Sequence, residues 1–458
     1  MYLFYLRFGP RISEFLAFFM GMMSSFFILI GLLEVPKLNH IYLMKIHDLS
    51  LPVLLLRPAQ AAHIIPTTPL KSGNRGCKVT KANINPAMLS WARERSGIAL
   101  EQFAHKCGTS TELLQQWEEG KHDITFKQAM TFADKAHVPF GYLFLAVPPV
   151  ETLPIPDLRT LEGKGVQRPS AELLDLLKIM LQRQEWYREY LQQQFVAPAN
   201  VAGRFSSRDD VVTIVQDMRF KLGVKAHPTR GDWETYYRDL VQRIEAAGVL
   251  VMRSSSLGHH SRPFQVEEFR GFAIADDYAP IIFVNHADAP GARLFTLIHE
   301  LCHIWIGQSG VSDGGTATHL KEEILCNAVA AEFLVPATEF LAHWQPGYGN
   351  WQDNLPHLEQ HFHVSRWVLA RRALTLQLID QHEYERFIHQ QQTDFAERDK
   401  GTGSPGYYRT KKAQISTSFS RAVVSQALSG QLLLRDAGDL LDGMKPASIA
   451  RFAQELGL

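Results

Sequence analysis

Cysteine is scarce. Only Cys77, Cys107, Cys302 and Cys326 occur in 458 residues, widely scattered and with no Cys-x-x-Cys pair, which fits a reducing compartment and leaves Cys302 and Cys326 as fillers of core space rather than metal ligands. Net charge is missing too, because 47 Lys and Arg balance 47 Asp and Glu. Global charge therefore argues neither for nucleic acid nor for a membrane surface, and any such binding has to come from local patches. What is present is ordinary for a globular chain: 46% apolar and 21% charged residues, with length for two or three domains and a sizeable core.

The N-terminus departs from that pattern. Residues 15–33 carry no charge and are long enough to cross a bilayer as a helix. Arg7 and Arg11 before the run are balanced by Lys37, Lys45 and Arg57 after it, so the positive-inside rule sets no orientation. No Ala-x-Ala-like site follows directly, which argues against a secretory signal. A membrane span ahead of the modules described below has no obvious mechanical use. We therefore expect residues 1–78 to be a hydrophobic extension outside the working protein, with a start near Val79. The expected location is cytoplasmic; the alternative is a chain tethered by residues 15–33.

The most informative stretch is Phe295-Thr-Leu-Ile-His-Glu-Leu-Cys-His-Ile-Trp-Ile306. His299 and His303 are four apart, so on a helix they share a face, and Leu297, Ile298, Leu301, Ile304 and Ile306 make the rest a core helix. Two imidazoles one turn apart can close on one metal ion. Glu300 beside them needs no bond to the metal to take a proton from water at its open position. Zinc in a catalytic site wants a third protein ligand from a separate element. The helical run from Lys321 to Val335 offers Glu322, Glu323 and Glu332. Glu323 shares a face with Asn327, and Ala328, Ala330 and Ala331 allow a neighbouring helix close, so Glu323 is preferred, with Glu332 in reserve.

The run from Ile281 to Pro336, with His299-Glu-Leu-Cys-His303 and then Glu323-Ile-Leu-Cys-Asn327, resembles the ImmA/IrrE family of metallo-endopeptidases. The resemblance implies Zn(II) held by His299, His303 and Glu323, and Glu300 as general base. It also implies a helix-turn-helix repressor as the cleaved protein, with release of stress or mobile-element (prophage) genes. His319 is a weak candidate for steadying the oxyanion. The competing expectation is a transcriptional regulator or antitoxin-like protein whose metal domain is a sensor or catalytically silent.

Ahead of this lies a second pattern. Between Asn85 and Leu145 five short helical segments alternate with turn signals, and a turn at Cys107-Gly-Thr-Ser110 precedes a helix capped by Ser110. This segment resembles the phage-repressor-like (XRE-type) helix-turn-helix family, including Trp117-Glu-Glu-Gly-Lys121. On that resemblance Thr111, Gln115 and Gln116 are placed to reach base edges. Charge opposes this: Arg93, Arg95, Lys106, Lys121, Lys127 and Lys135 are outnumbered by Glu94, Glu101, Glu112, Glu118, Glu119, Asp123 and Asp134. DNA affinity would be weak unless Arg93, Arg95 and Lys121 cluster or the chain forms a homodimer.

The expected fold is α+β and mostly helical. The expected parts are the helix-turn-helix domain (83–147), a helical scaffold (148–248), a zincin-like metallopeptidase core (249–345) and a helical C-terminal region (346–458). Runs at Val249–Met252, Gly271–Ala275 and Pro280–Asn285 are read as three strands. The last is expected to offer an edge to an extended substrate. The mildly basic tail, with helical patterns from Phe419 to Leu456, is read as a surface for a partner or for oligomerisation.

Overall fold

Capping decides where the first helices begin and end. Asn85 accepts a hydrogen bond from Ala87 N and Pro86 takes the first helical position, opening α1 (Pro86–Arg95). Helix α2 (Leu100–Cys107) stops at left-handed Gly108, and Ser110 accepts from Leu113 N to open α3 (Thr111–Glu118). A reciprocal Thr125–Gln128 capping box starts α4 (Phe126–Ala136), and a 3-10 turn (Phe140–Phe144) follows. These elements share their own core around Met88, Phe103, Leu114, Phe132 and Leu143.

The computed structural model describes residues 82–158, 169–258, 260–312, 320–397 and 406–458. Residues 15–33 and His319 lie outside them. Among the described residues no single helix is long and apolar enough to cross a membrane. Residues 78–458 form one compact unit, so the boundaries expected near 148, 249 and 346 fall inside it.

Three helices precede the sheet: α5 (Ala171–Gln193), α6 (Val211–Leu222) and α7 (Trp233–Ala246), capped by Ser170, Asp210 and Asp232. The strands are β1 (Leu250–Ser254), β2 (Gly271–Ile274), β3 (Ile281–Asn285) and β4 (Gly310–Ser312). Helix α8 (Pro290–Trp305) lies between β3 and β4 in the chain. The sheet order is β1-β3-β2-β4, with β1 parallel to β3 and both other pairings antiparallel. Strand β3 is thus central, paired on both sides, and cannot offer an edge to a substrate as its sequence was read to do. The edges are β1 and β4. Residues Pro156 and Leu158 already bond to Val311 of β4, at 3.1 Å each.

After β4 come α9 (Lys321–Leu334), α10 (Ala337–His343), α11 (Leu355–Phe362), α12 (Arg366–Thr375) and α13 (Gln381–Glu397). The chain ends with α14 (Tyr407–Gln414), α15 (Thr417–Leu428), α16 (Leu434–Leu440) and α17 (Pro446–Leu456).

Both faces of the sheet are covered, which is why its strands are apolar throughout rather than alternating. Val251, Ala273, Ile282 and Val284 face a core built with α8, α9 and α12. Leu250, Met252, Phe272 and Phe283 face a second core with Leu177 of α5 and Phe419, Val423 and Phe452 of the tail. The rings of Phe272 and Phe283 stack there at 5.0 Å. The tail read as a partner or oligomerisation surface thus forms a wall of the sheet on one side, while Leu428, Leu433 and Leu434 stay exposed on another.

Candidate metal centre

Pro290 starts α8, and Arg293 pins that start by donating to the carbonyls of His286 and Asp288 at 2.8–3.0 Å. At the other end Trp305 Nε1 donates to Asp217 of α6 at 2.8 Å. Held at both ends against the sheet, α8 buries every residue from Leu294 to Trp305, polar ones included. His299, Glu300 and His303 are 2%, 0% and 0% exposed.

Alanines at 330 and 331 are buried on α9 and let it approach α8. That brings Glu323, 2% exposed, over the two histidines. Its Oε2 lies 3.1 Å from His299 Nε2 and its Oε1 3.1 Å from His303 Nε2, while the two Nε2 atoms are 3.2 Å apart. These three side chains form a group able to hold one metal ion. Ser312 of β4 donates to Glu323 Oε1 at 3.4 Å. Burial pushes the Glu323 carboxyl up, but the two imidazoles overcome this and hold it well below the usual carboxylate range. Burial lowers His303 despite the opposing Glu323 contact, so its ring stays neutral. Ionised carboxylate and neutral imidazole are the forms that bind metals.

Glu300 is different. Neither of its oxygens has a hydrogen-bond partner among the described residues. Burial first, and the Glu323 charge second, raise its carboxyl well above the ordinary value, with the Ser312 hydroxyl offsetting part. A fully buried carboxyl without a partner costs about 1–3 kcal/mol. Such an orphan beside a metal-type donor set fits a group that receives a proton from something brought into the site.

Of the other acids, Glu332 pairs with Arg372 and accepts from Ala337 N at 3.2 Å, so the reserve ligand is a structural bracket between helices. Glu322 is half-buried and outside the cluster. Asn327 accepts from Arg371 at 3.1 Å, and that guanidinium lies over the Phe295 ring at 5.2 Å. Cys302 and Cys326 are free thiols in the core, as their spacing suggested.

The residue that sequence reasoning passed over is Gly271 in β2. A Cβ there would lie 2.7 Å from Glu300 Oε1, 2.8 Å from Thr296 Cγ2 and 2.9 Å from Glu300 Cγ. Only glycine lets the strand approach so closely. An isolated glycine at the head of a strand pattern was the available signal.

In the N-terminal segment Gln115 and Gln116 are exposed and Thr111 half-buried on α3. The arginines expected to serve phosphates are spent internally. Arg93 donates to both Glu118 oxygens at 2.6 and 3.0 Å, and Arg95 to Glu151 at 2.7 and 3.1 Å and to Asp175 at 2.5 Å. Lys121 pairs with its neighbour Glu119 at 2.6 Å. Each of these three cations thus has a carboxylate partner that competes with phosphate for it.

No curated protein and no solved structure matches the chain. Residues 415–455, in the wall behind the sheet, match a domain of unknown function (DUF8813). Residues 244–374, which hold β1 to β4 and the whole metal-type cluster, match the peptidase family M78 model, described as an IrrE N-terminal-like domain. That match supports the ImmA/IrrE resemblance and a metallopeptidase-like function for this part of the chain.

Proposed function

We propose that the chain is a zinc-dependent endopeptidase in which His299, His303 and Glu323 hold Zn(II) and Glu300 is the general base. The observation that carries this reading is the convergence of two imidazoles and a carboxylate within 3.2 Å of one another, next to a buried carboxyl with no hydrogen-bond partner of its own among the described residues. A zinc ion held there supplies Lewis acidity and acidifies water. Glu300 would take the proton of a water brought into the site to attack a peptide carbonyl, and would return it to the leaving amine. Gly271 keeps the Glu300 carboxyl in place by leaving it room.

The substrate belongs to the same proposal. A helix-turn-helix repressor is the cleaved protein on the resemblance given above, and residues 83–147 bring the peptidase to it on an operator, through Thr111, Gln115 and Gln116. With Arg93 and Arg95 occupied, phosphate contacts fall to exposed lysines such as Lys106 and Lys127, so binding is weak and its salt dependence shallow.

The test is zinc-dependent cleavage of a repressor encoded beside this gene, by the full chain. Glu300→Gln is expected to reduce turnover by about 10²–10⁴-fold with metal content unchanged. Undiminished cleavage by that variant, or loss of its metal, would defeat the assignment of Glu300.

A further inference from the structure

A second cluster has the same donor set. His227 follows α6 in the loop before α7, Glu339 sits on α10 and His361 on α11. His227 Nε2 and His361 Nε2 lie 3.0 and 2.8 Å from one atom, Glu339 Oε1. That spacing is close to the 3.1–3.2 Å of the first cluster. Among the described residues these are the two groups of three that could hold a metal. The second is half-buried, with side chains 14%, 33% and 31% exposed, so an ion can reach it without passing through the core.

Hydrogen bonding sharpens the case. His227 Nδ1 is 2.9 Å from the carbonyl oxygen of Pro228. A carbonyl only accepts, so in the neutral ring Nδ1 carries the hydrogen and Nε2 presents a lone pair. A ring protonated on both nitrogens would instead donate from Nε2 to that carboxylate oxygen, whereas in the neutral ring two acceptors face each other and a cation between them makes ligands of both. A backbone carbonyl on the far ring nitrogen is the usual way a metal-binding imidazole is oriented. The His361 ring is steadied by His343, with centroids 4.0 Å apart, and by the edge of Phe362 at 4.7 Å. The His227 loop is anchored separately, since Arg219 donates to Ala226, Glu332 and Phe333 carbonyls at 3.2, 3.1 and 2.8 Å.

We propose that His227, Glu339 and His361 form a second site for a zinc-class dication, distinct from the cluster on α8 and α9. Two imidazoles and a carboxylate favour Zn(II) over Ca(II) or Mg(II), which take oxygen ligands. The ion would clip the loop after α6 to α10 and α11, and so brace α10, which directly follows the helix bearing Glu323. Nothing in this inference depends on the first cluster being catalytic.

The experiment is a zinc titration of the metal-stripped full chain, untagged, with bound metal counted by native mass spectrometry. Two equivalents are expected for the unaltered chain and one for His227→Ala or His361→Ala. One is also expected for a chain carrying His299→Ala and His303→Ala, and that equivalent is lost when His227→Ala is added. Saturation at one equivalent that disappears with His299→Ala and His303→Ala, or two equivalents retained in both His227→Ala and His361→Ala, overturns the second site. Should the alanine variants fail to fold, Co(II) titration of the unaltered chain and of the conservative variant His227→Gln decides it: an endpoint that falls by one equivalent in His227→Gln supports the site, and an endpoint that is the same in both refutes it. Failure of the first cluster alone leaves one equivalent sensitive to His227, which separates the two readings.

Discussion

Replacing Gly271 by alanine tests the most crowded contact of the centre. The new methyl would stand 2.7 Å from Glu300 Oε1 and 2.9 Å from Glu300 Cγ, where ordinary contact begins at 3.4 Å. The carboxyl must therefore retreat by about 0.7 Å, the difference between 3.4 and 2.7 Å, and α8 cannot follow because both of its ends are tied. Overpacking of this kind costs about 1–3 kcal/mol. Two of the three crowded atoms belong to Glu300 and the third to Thr296, so most of the cost should vanish when Glu300 is also truncated. The assay is urea unfolding of the metal-free chain and of Gly271→Ala, Glu300→Ala and the double variant. The expected coupling is about 1 kcal/mol or more, with a smaller cost left in the Glu300→Ala background from the Thr296 methyl at 2.8 Å. Additivity to within about 0.5 kcal/mol would refute the claim that this strand and this carboxyl share one space. On the proposed activity, a displacement approaching 1 Å should lower turnover by up to about 10²-fold.

Two other outcomes follow from charge. The Arg204 guanidinium and the Trp305 indole hold Asp217 below its ordinary value of 3.8. A depressed carboxyl adds stability above its unfolded pKa and loses it as pH falls through the folded one, so Asp217→Asn should be less stable than the unaltered chain at neutral pH. By unfolding titrations, the gap should start to narrow as pH falls below 3.8 and go on closing through the depressed folded value; a gap unchanged at acid pH would count against the ion pair. Arg95 is 5% exposed and Glu151 6%, and although Glu151 keeps Lys178 and Asp175 keeps Arg262, Arg95→Ala removes the buried cation between them and should cost about 1.5–3 kcal/mol in chemical unfolding. A change under about 0.5 kcal/mol would mean that this contact does not join α1 to α5.

Much of the centre is written in short-range spacing. His299 and His303 share a face because any helix puts residues four apart on one side, and Glu323 begins a helix whose alanines permit close approach. The helix start at Ser110 was equally legible, since its side chain accepts from Leu113 N of the first turn. Gly271 was visible as an oddity, but what it leaves room for was not.

The remainder depended on which distant segments meet. Strand β3 reads as apolar whether it is an edge or a centre, and only pairing with β1 and β2 decides that it is central. Arg93 and Arg95 carry the same charge in either role; the nearness of Glu118, Glu151 and Asp175 takes them from any phosphate. The tail's apolar faces could not say what they cover until the sheet offered its second face. Local periodicity and capping act within a turn or two, so the sequence by itself determined the helices and the pairing of His299 with His303. Strand order, ion-pair partners and the meeting of His227, Glu339 and His361 arise between residues far apart in the chain, up to 259 positions for Arg183 and Asp442, and packing alone decides them.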